Sequence, residues 1–484
     1  MVVNLRIIAK MLSSLIMGFG LIALIPAVFA IAMGSEGFYS FCAVTALSII
    51  IGNILRVVGS NASTQITIRE LFLFTFLLWA SIAFIAALPF CIILSDIDLS
   101  AAIFEAASAL STTGSTTINL LDTRPPAILL WRSILQYLGG IGFVVIGVAI
   151  MPSLAIGGMN LFKTESNSFD GNAKLTPHIK TMAFALLFLY ASLLTLCTLS
   201  YIFFGLDFFL AINTAMCTVA TGGMMPLDAS MNDLPSGVHY SATFFMFICS
   251  CPFLIILSSF TDNFLRFFKD EQVRGFFFFV IASSLSVALS LIICNDYDLE
   301  RAIRVGFFNV VSVISTSGFA LEDFSCWNAF ATVFFTIILA IGGCSGATSG
   351  GIKFFRIQVC FRMLKSQMKK SLHPHGVIYP RFNRKEITAE TSVAVVSFLF
   401  AYLLVALGST IIAVLLGLPL SDAFTATISC LSNIGPTIGE QLPPSANFSK
   451  LSDPLHLLFS IDMLLGRLEI IPVLLCFTRA FWRK

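Results

Sequence analysis

Apolar residues run along this chain in blocks, each followed by a short polar segment. A crossing of a lipid bilayer needs about 20 apolar residues. The pattern predicts crossings near 12–33, 39–58, 70–95, 127–151, 180–204, 240–261, 275–294, 327–341 continuing after a break to about 363, 390–416 and 455–478. That makes ten crossings. Between several of them lie apolar stretches of about 10–14 residues, too short to span and read as re-entrant segments. The eighth span dissolves at Gly342 into "GGCSGATSGG", ending at Gly351, before apolar and basic residues resume. Broken backbone at membrane depth is tolerated only where it is buried in protein or lines a watery cavity. At 1.5 Å per residue, Gly342 lies roughly 22 Å down a helix that enters at Trp327.

The short stretches share a pattern: "IFEAASALSTTGST", "AINTAMCTVATGGM", "GFFNVVSVISTSGF" and "AFTATISCLSNIGP". Aligned on Gly114, Gly223, Gly318 and Gly435, they carry Thr112, Thr221, Thr316 or Asn433 two residues earlier. Six residues earlier stands Ser108, Cys217, Ser312 or Ser429, always small. The glycines are 109, 95 and 117 residues apart, and each copy lies between two full spans. Internal repeats are a strong architectural signal. The unit here is span, short helix, polar glycine loop, span. A short helix of this kind points its partially negative C-terminal end toward the membrane centre. The following loop exposes carbonyls and hydroxyls, and glycine permits turns that aim successive carbonyls inward. Four units in one chain can ring an axis and replace the hydration shell of a cation.

Composition agrees: 57% of residues are hydrophobic and 11% charged, against about 25% charged in soluble domains. The chain is expected to be a polytopic membrane protein. The twelve Cys sit mostly in apolar runs without zinc-ligand or CxxC spacing, and the five His form no metal pattern. No small-residue cleavage site follows the first apolar segment, so a retained anchor is expected there. Between Lys353 and Lys385 there are nine Lys and Arg and no acid. Lys163, Lys174 and Lys180, and Arg266, Lys269 and Arg274, mark further basic loops, whereas acids such as Asp96, Asp228, Asp298 and Glu440 gather on the other side. The positive-inside rule makes the basic loops cytoplasmic and, with an even number of spans, both termini too.

These residues resemble the Trk/Ktr/HKT superfamily of potassium transporters, and within it the bacterial TrkH/TrkG membrane subunits. The likeness rests on the loops "STTGST", "ATGGM", "STSGF" and "SNIGP", on "GGCSGATSGGIK" and on "MLLGRLEIIPV", with "QYLGGIGFVVIGVAIMP" and "KLTPHI" in support. It implies an all-α polytopic fold with four helix–pore-loop–helix repeats around a pseudo-fourfold pore, plus two extra N-terminal helices. The expected boundaries are 1–65 for the helix pair, 66–155, 156–265, 266–385 and 386–484 for the repeats. The resemblance implies a potassium filter built from Thr112, Thr113 and Gly114; Thr221, Gly222 and Gly223; Thr316, Ser317 and Gly318; and Asn433, Ile434 and Gly435. Sodium-permeable plant members carry Ser at the first glycine, so Gly114 points to potassium. One departure is "GGMMP", where the bacterial pattern carries Phe and Ser at the places of Met224 and Met225. The broken segment 342–351 is assigned as an intramembrane gate, with Ser345, Gly346, Ala347, Thr348 and Ser349 across the pore and Arg467 holding it closed. Also implied are potassium uptake at the bacterial inner membrane, a homodimer embedded in lipid, and a cytoplasmic nucleotide-binding regulatory subunit of TrkA type. Neither an enzyme, nor a cofactor beyond the transported ion, nor a nucleic-acid partner is expected.

Competing readings separate on details. A phosphate-binding loop needs GK followed by Ser or Thr, and here Gly351 is followed by Ile352, Lys353 and Phe354. A secondary transporter coupling potassium to protons or sodium also uses broken helices, but its repeats usually come in pairs. Glu105 has two readings: a proton relay within the membrane, or a buried carboxylate hydrogen-bonded behind the first loop. The basic segment from Lys353 onward, with Arg362, Lys365, Lys369 and Lys370, is expected to meet an acidic face of the regulatory partner.

Overall fold

A computed structural model of the chain describes residues 3–60, 66–150, 175–261, 265–383, 385–444 and 447–483. The basic loop holding Lys163 and Lys174, and the expected boundary at 155, lie outside the described residues.

The protein is mostly helical. Among the described residues six helices are long and apolar enough to cross a membrane, including Phe38–Val58, Ile68–Ile93, Glu271–Asn295 and Ala389–Leu415. Helix Pro126–Ile150 covers the expected fourth span. Large apolar side chains such as Phe184, Phe188 and Phe203 on one such helix are exposed, as a lipid-facing surface requires. The helices begin where polar side chains can satisfy their free N–H groups. Thr67 and Glu70 form a reciprocal capping box at the start of Ile68–Ile93. The same Glu70 carboxylate accepts from the Asn4 backbone N–H at 2.9 Å, which ties down the first helix, Leu5–Ile22.

Two spans expected to be continuous, 240–261 and 455–478, are interrupted, and the eighth breaks as the sequence predicts. Residues 240–261 form Ser236–Cys249 and Phe253–Thr261, and the pair is bent by 94°. Pro252 lacks the N–H that would continue the helix, and its ring clashes with the preceding turn. Residues 455–478 divide into Asp453–Arg467 and Ile471–Cys476, with Glu469 and Ile470 at positive φ between them. Pro472 has the same effect here, denying the Leu468 carbonyl a donor. The eighth span stops at Ile338, three residues before the apolar run ends, and resumes at Phe354–Leu372. A small antiparallel ribbon, Arg381–Phe382 against Lys385–Glu386, is the one paired strand element among the described residues.

The four short stretches fold as expected: Leu99–Leu110, Phe208–Val219, Leu299–Ile314 and Leu420–Ser432 are helices. Asp98 and Asp207 cap the first two through their carboxylates. All four end in the same turn. The N–H of the residue just before each glycine reaches back to the residue six before that glycine: Thr113 to Ser108, Gly222 to Cys217 and Ser317 to Ser312, each at 2.9 Å, and Ile434 to Ser429 at 3.0 Å. A second bond closes the turn from Thr112, Thr221, Thr316 or Asn433 to the carbonyl three residues back, at 3.0–3.2 Å. This is the Schellman pairing, which needs a left-handed residue at its apex. Here that residue is Thr112, Thr221 or Thr316 at φ between 51° and 58°, or Asn433 at 55°. A β-branched residue in that region is strained by about 1–3 kcal/mol, a cost that clusters at functional sites.

Candidate functional site

The four turns meet. A Cβ placed on Gly114 would strike the Gly222 carbonyl, one on Gly223 the Ser317 carbonyl, and one on Gly318 the Ile434 carbonyl. One on Gly435 would come within 2.6 Å of the Thr113 carbonyl. First touches second, second third, third fourth, and fourth first, so the loops close a ring. All four glycines have positive φ, between 70° and 102°. Any side chain would be both strained and obstructed. The carbonyls of Thr113, Gly222, Ser317 and Ile434 thus crowd one level of the ring. The twelve residues assigned from the sequence to a filter come together here.

Behind the ring, polar side chains hold the loops. The small residue six before the glycine has a purpose in two of them. Ser108 Oγ donates to the Ser115 carbonyl at 2.6 Å, and Ser312 Oγ to the Phe319 carbonyl at 2.7 Å. Three residues earlier on each helix stand Glu105 and Asn309. Glu105 accepts from the Thr117 N–H at 2.7 Å and Asn309 from the Leu321 N–H at 3.1 Å, so both brace the strand leaving the loop. Glu105 also accepts from the hydroxyls of Thr116 and Thr117 and pairs with Arg132 at 2.7 Å, with both side chains buried. With its lone pairs spent on these donors, the geometry favours the bracing role over a proton relay. Arg132 extends to the Met225 carbonyl at 3.0 Å. Asn433 donates to Thr113 Oγ1 at 3.0 Å and to the Met463 carbonyl at 2.9 Å, joining the fourth loop to the first.

The glycine-rich segment lies against the same ring. Its ends are clasped by Gly342 N–H to the Ile352 carbonyl at 2.7 Å and Ile352 N–H to the Ala340 carbonyl at 3.0 Å. Ser345, Ala347, Thr348 and Ser349 are buried, while Gly346 is exposed. The hydroxyls of Thr348 and Thr221 meet at 3.0 Å, and the Gly350 N–H donates to Thr316 Oγ1 at 2.8 Å. A Cβ on Gly350 would sit 2.5 Å from the Ser432 carbonyl, so the segment touches the second, third and fourth turns. Arg467 donates to the Thr348 carbonyl at 2.7 Å and the Gly139 carbonyl at 3.1 Å.

Several participants escaped the sequence reading. Lys353, counted there among basic loop charges, is buried and donates to the Ser349 carbonyl at 2.5 Å. Two cations thus hold successive carbonyls, at Thr348 and Ser349. Arg356 is also buried, paired with Glu469 and stacked over Phe398 at 3.6 Å from the ring centroid. The exposed basic surface therefore starts at Arg362, and Arg362 itself pairs with Glu271 at 3.2 Å. The bend at Pro252 receives the glycine-rich segment through Cys344 N–H to Ser250 carbonyl, 2.9 Å, and Phe253 N–H to Gly346 carbonyl, 3.1 Å. Pro252 in "CPF" was the available signal, because an internal proline frees backbone groups for another segment to satisfy.

Residues 39–484 match the sequence family TrkH, described as a cation transport protein. The chain is 35% identical over 417 residues to Trk system potassium uptake protein TrkI of Halomonas elongata, covering 86% of this chain and 84% of that protein. It is 31% identical over 484 residues to Trk system potassium uptake protein TrkH of Escherichia coli K12, covering 99% of both. The crystal structure of the potassium transporter TrkH from Vibrio parahaemolyticus superposes with a TM-score of 0.91 at 30% identity, over 99% of this chain and 100% of that one.

Proposed function

The chain belongs to the TrkH family of cation transport proteins, a family of multi-pass membrane transporters and not of enzymes, and on that premise we propose that it takes up potassium across the bacterial inner membrane. The observation that carries this reading is the closed ring of four glycine turns with the 342–351 segment pressed against it. The repeats surround a pore, and potassium sheds its water onto the carbonyls and hydroxyls of Thr112–Gly114, Thr221–Gly223, Thr316–Gly318 and Asn433–Gly435. Four short helices direct their negative ends at the dehydrated ion.

The 342–351 segment is the gate, closed in this conformation. Its carbonyls are held by Arg467 and Lys353, and its Gly350 N–H by Thr316. A fixed cation next to the path adds an electrostatic barrier to the steric one. The basic helix beyond the gate and both termini face the cytoplasm, by the distribution of Lys and Arg. A nucleotide-binding regulatory subunit of TrkA type docks on that side, and the protein works as a homodimer in lipid. Coupling to protons or sodium is the less supported reading, because Glu105 is committed to Arg132 and to donors of the first loop.

The test is potassium and sodium flux through the purified protein in liposomes, with and without a proton gradient. Flux that follows the potassium gradient alone and prefers potassium over sodium is expected. A reversal potential that moves with the proton gradient would replace the pore by a coupled carrier.

A further inference from the structure

The ring of carbonyls is not equivalent all round. Gln136, fully buried on helix Pro126–Ile150, donates its side-chain amide to the Gly222 carbonyl at 2.5 Å. Its own carbonyl accepts from the Met224 N–H at 3.2 Å. One side chain thus grips the second loop on both sides of Gly223. One helical turn away, Arg132 holds the Met225 carbonyl, so the two side chains make three bonds to residues 222–225. Among the described residues, the corresponding carbonyls of Thr113, Ser317 and Ile434 accept no protein hydrogen bond.

A second observation has the same origin. The residue before the ring glycine is Thr113, Ser317 or Ile434 in three loops and glycine only in the second, at Gly222. A Cβ at Gly222 would lie 2.5 Å from Gln136 Cδ and 2.6 Å from Oε1. The missing side chain is the space that Gln136 occupies. Sequence and contact agree that the second loop is built around this amide.

We propose that Gln136 is a positioning residue that sets cation preference by engaging one of the four ring carbonyls. The inference rests on the reading of the ring as the potassium filter. A carbonyl already accepting a charge-free N–H offers a weaker field to an ion than its three neighbours, and field strength of the ligand set governs selection among alkali cations. Freeing the carbonyl strengthens the ring, and a stronger field favours the smaller ion. Removal of the amide therefore shifts preference from potassium toward sodium.

The test compares Gln136→Leu, Gln136→Glu and Gly318→Ala with wild type by potassium-to-sodium permeability ratio in liposomes, each normalised to folded protein by gel filtration. Glu keeps the size and an acceptor for Met224 but offers no amide donor, and it serves as the readout where the Leu variant does not fold. The expected result is a ratio lowered by about threefold or more in the Gln136 variants, the scale of one hydrogen bond. A purely structural role would lower flux of both ions equally and leave the ratio in place. An unmoved ratio in the Gln136 variants with a moved ratio in Gly318→Ala overturns this inference alone. An unmoved ratio in all three removes the filter reading and the inference with it.

Discussion

Arg467 places its guanidinium 2.7 Å from the carbonyl of Thr348, whose hydroxyl meets that of Thr221 in the second loop. A buried cation, the glycine-rich segment and the ring are thereby joined in one line of hydrogen bonds. On the proposed reading, an ion passing at roughly 8 Å in an effective dielectric of about 20 would be repelled by about 2 kcal/mol, a factor of about 30. Arg467→Ala is expected to raise potassium flux in liposomes without a partner, and Arg467→Lys to remain near wild type or between the two. Equal flux from a well-folded Ala variant would leave the arginine as an anchor with no barrier role.

Deleting Ser345 to Thr348 removes Thr348, which meets Thr221, Cys249 and Arg467. Unregulated potassium flux is expected to increase. Reduced flux from intact protein would recast the segment as a support for the ring.

Gly114→Ser places a side chain against the Gly222 carbonyl at a φ of 98°. The strain is about 1–3 kcal/mol, and it falls on the first contact of the ring. The potassium-over-sodium ratio is expected to fall while some conduction persists. Reversal potentials in bi-ionic conditions measure this, and an unchanged ratio would take Gly114 out of the selective path.

Glu105→Gln leaves Arg132 buried without its counter-charge. Breaking such a pair costs about 3–5 kcal/mol. A lowered melting temperature in detergent is expected, with partial recovery in the Glu105→Gln/Arg132→Met double variant because the stranded charge is gone. Stability indifferent to the single change would mean that the Arg132 contacts to the second loop suffice.

Lys365, Lys369 and Lys370 are exposed on helix Phe354–Leu372, and Arg362 is half-exposed beside Glu271. Changing all four to Ser is expected to weaken binding of a regulatory subunit of TrkA type, and added salt to weaken the wild-type complex, since exposed charges are screened over about 10 Å at 0.1 M. Pull-down at two ionic strengths decides it. Affinity indifferent to both would place the docking surface elsewhere.

The four turns were legible from residues alone because each is closed by bonds within a window of seven residues. Thr112, Thr221, Thr316 and Asn433 recur at the left-handed apex, and Ser108, Cys217, Ser312 and Ser429 at the start of the turn. Local hydrogen bonding writes itself into local spacing. The arrangement of partners was not. Gln136 reaches Gly222 across 86 positions, Arg467 reaches Thr348 across 119 and Gly139 across 328. Each donor finds a carbonyl, and every residue has one, so no residue type signals the match. Lys353 looked like a loop charge because its neighbours Arg356 and Arg362 are also basic, and only packing separates the buried cations from the exposed one. Pattern set which segments turn and where; the close packing of distant helices decided which carbonyl each buried donor would hold.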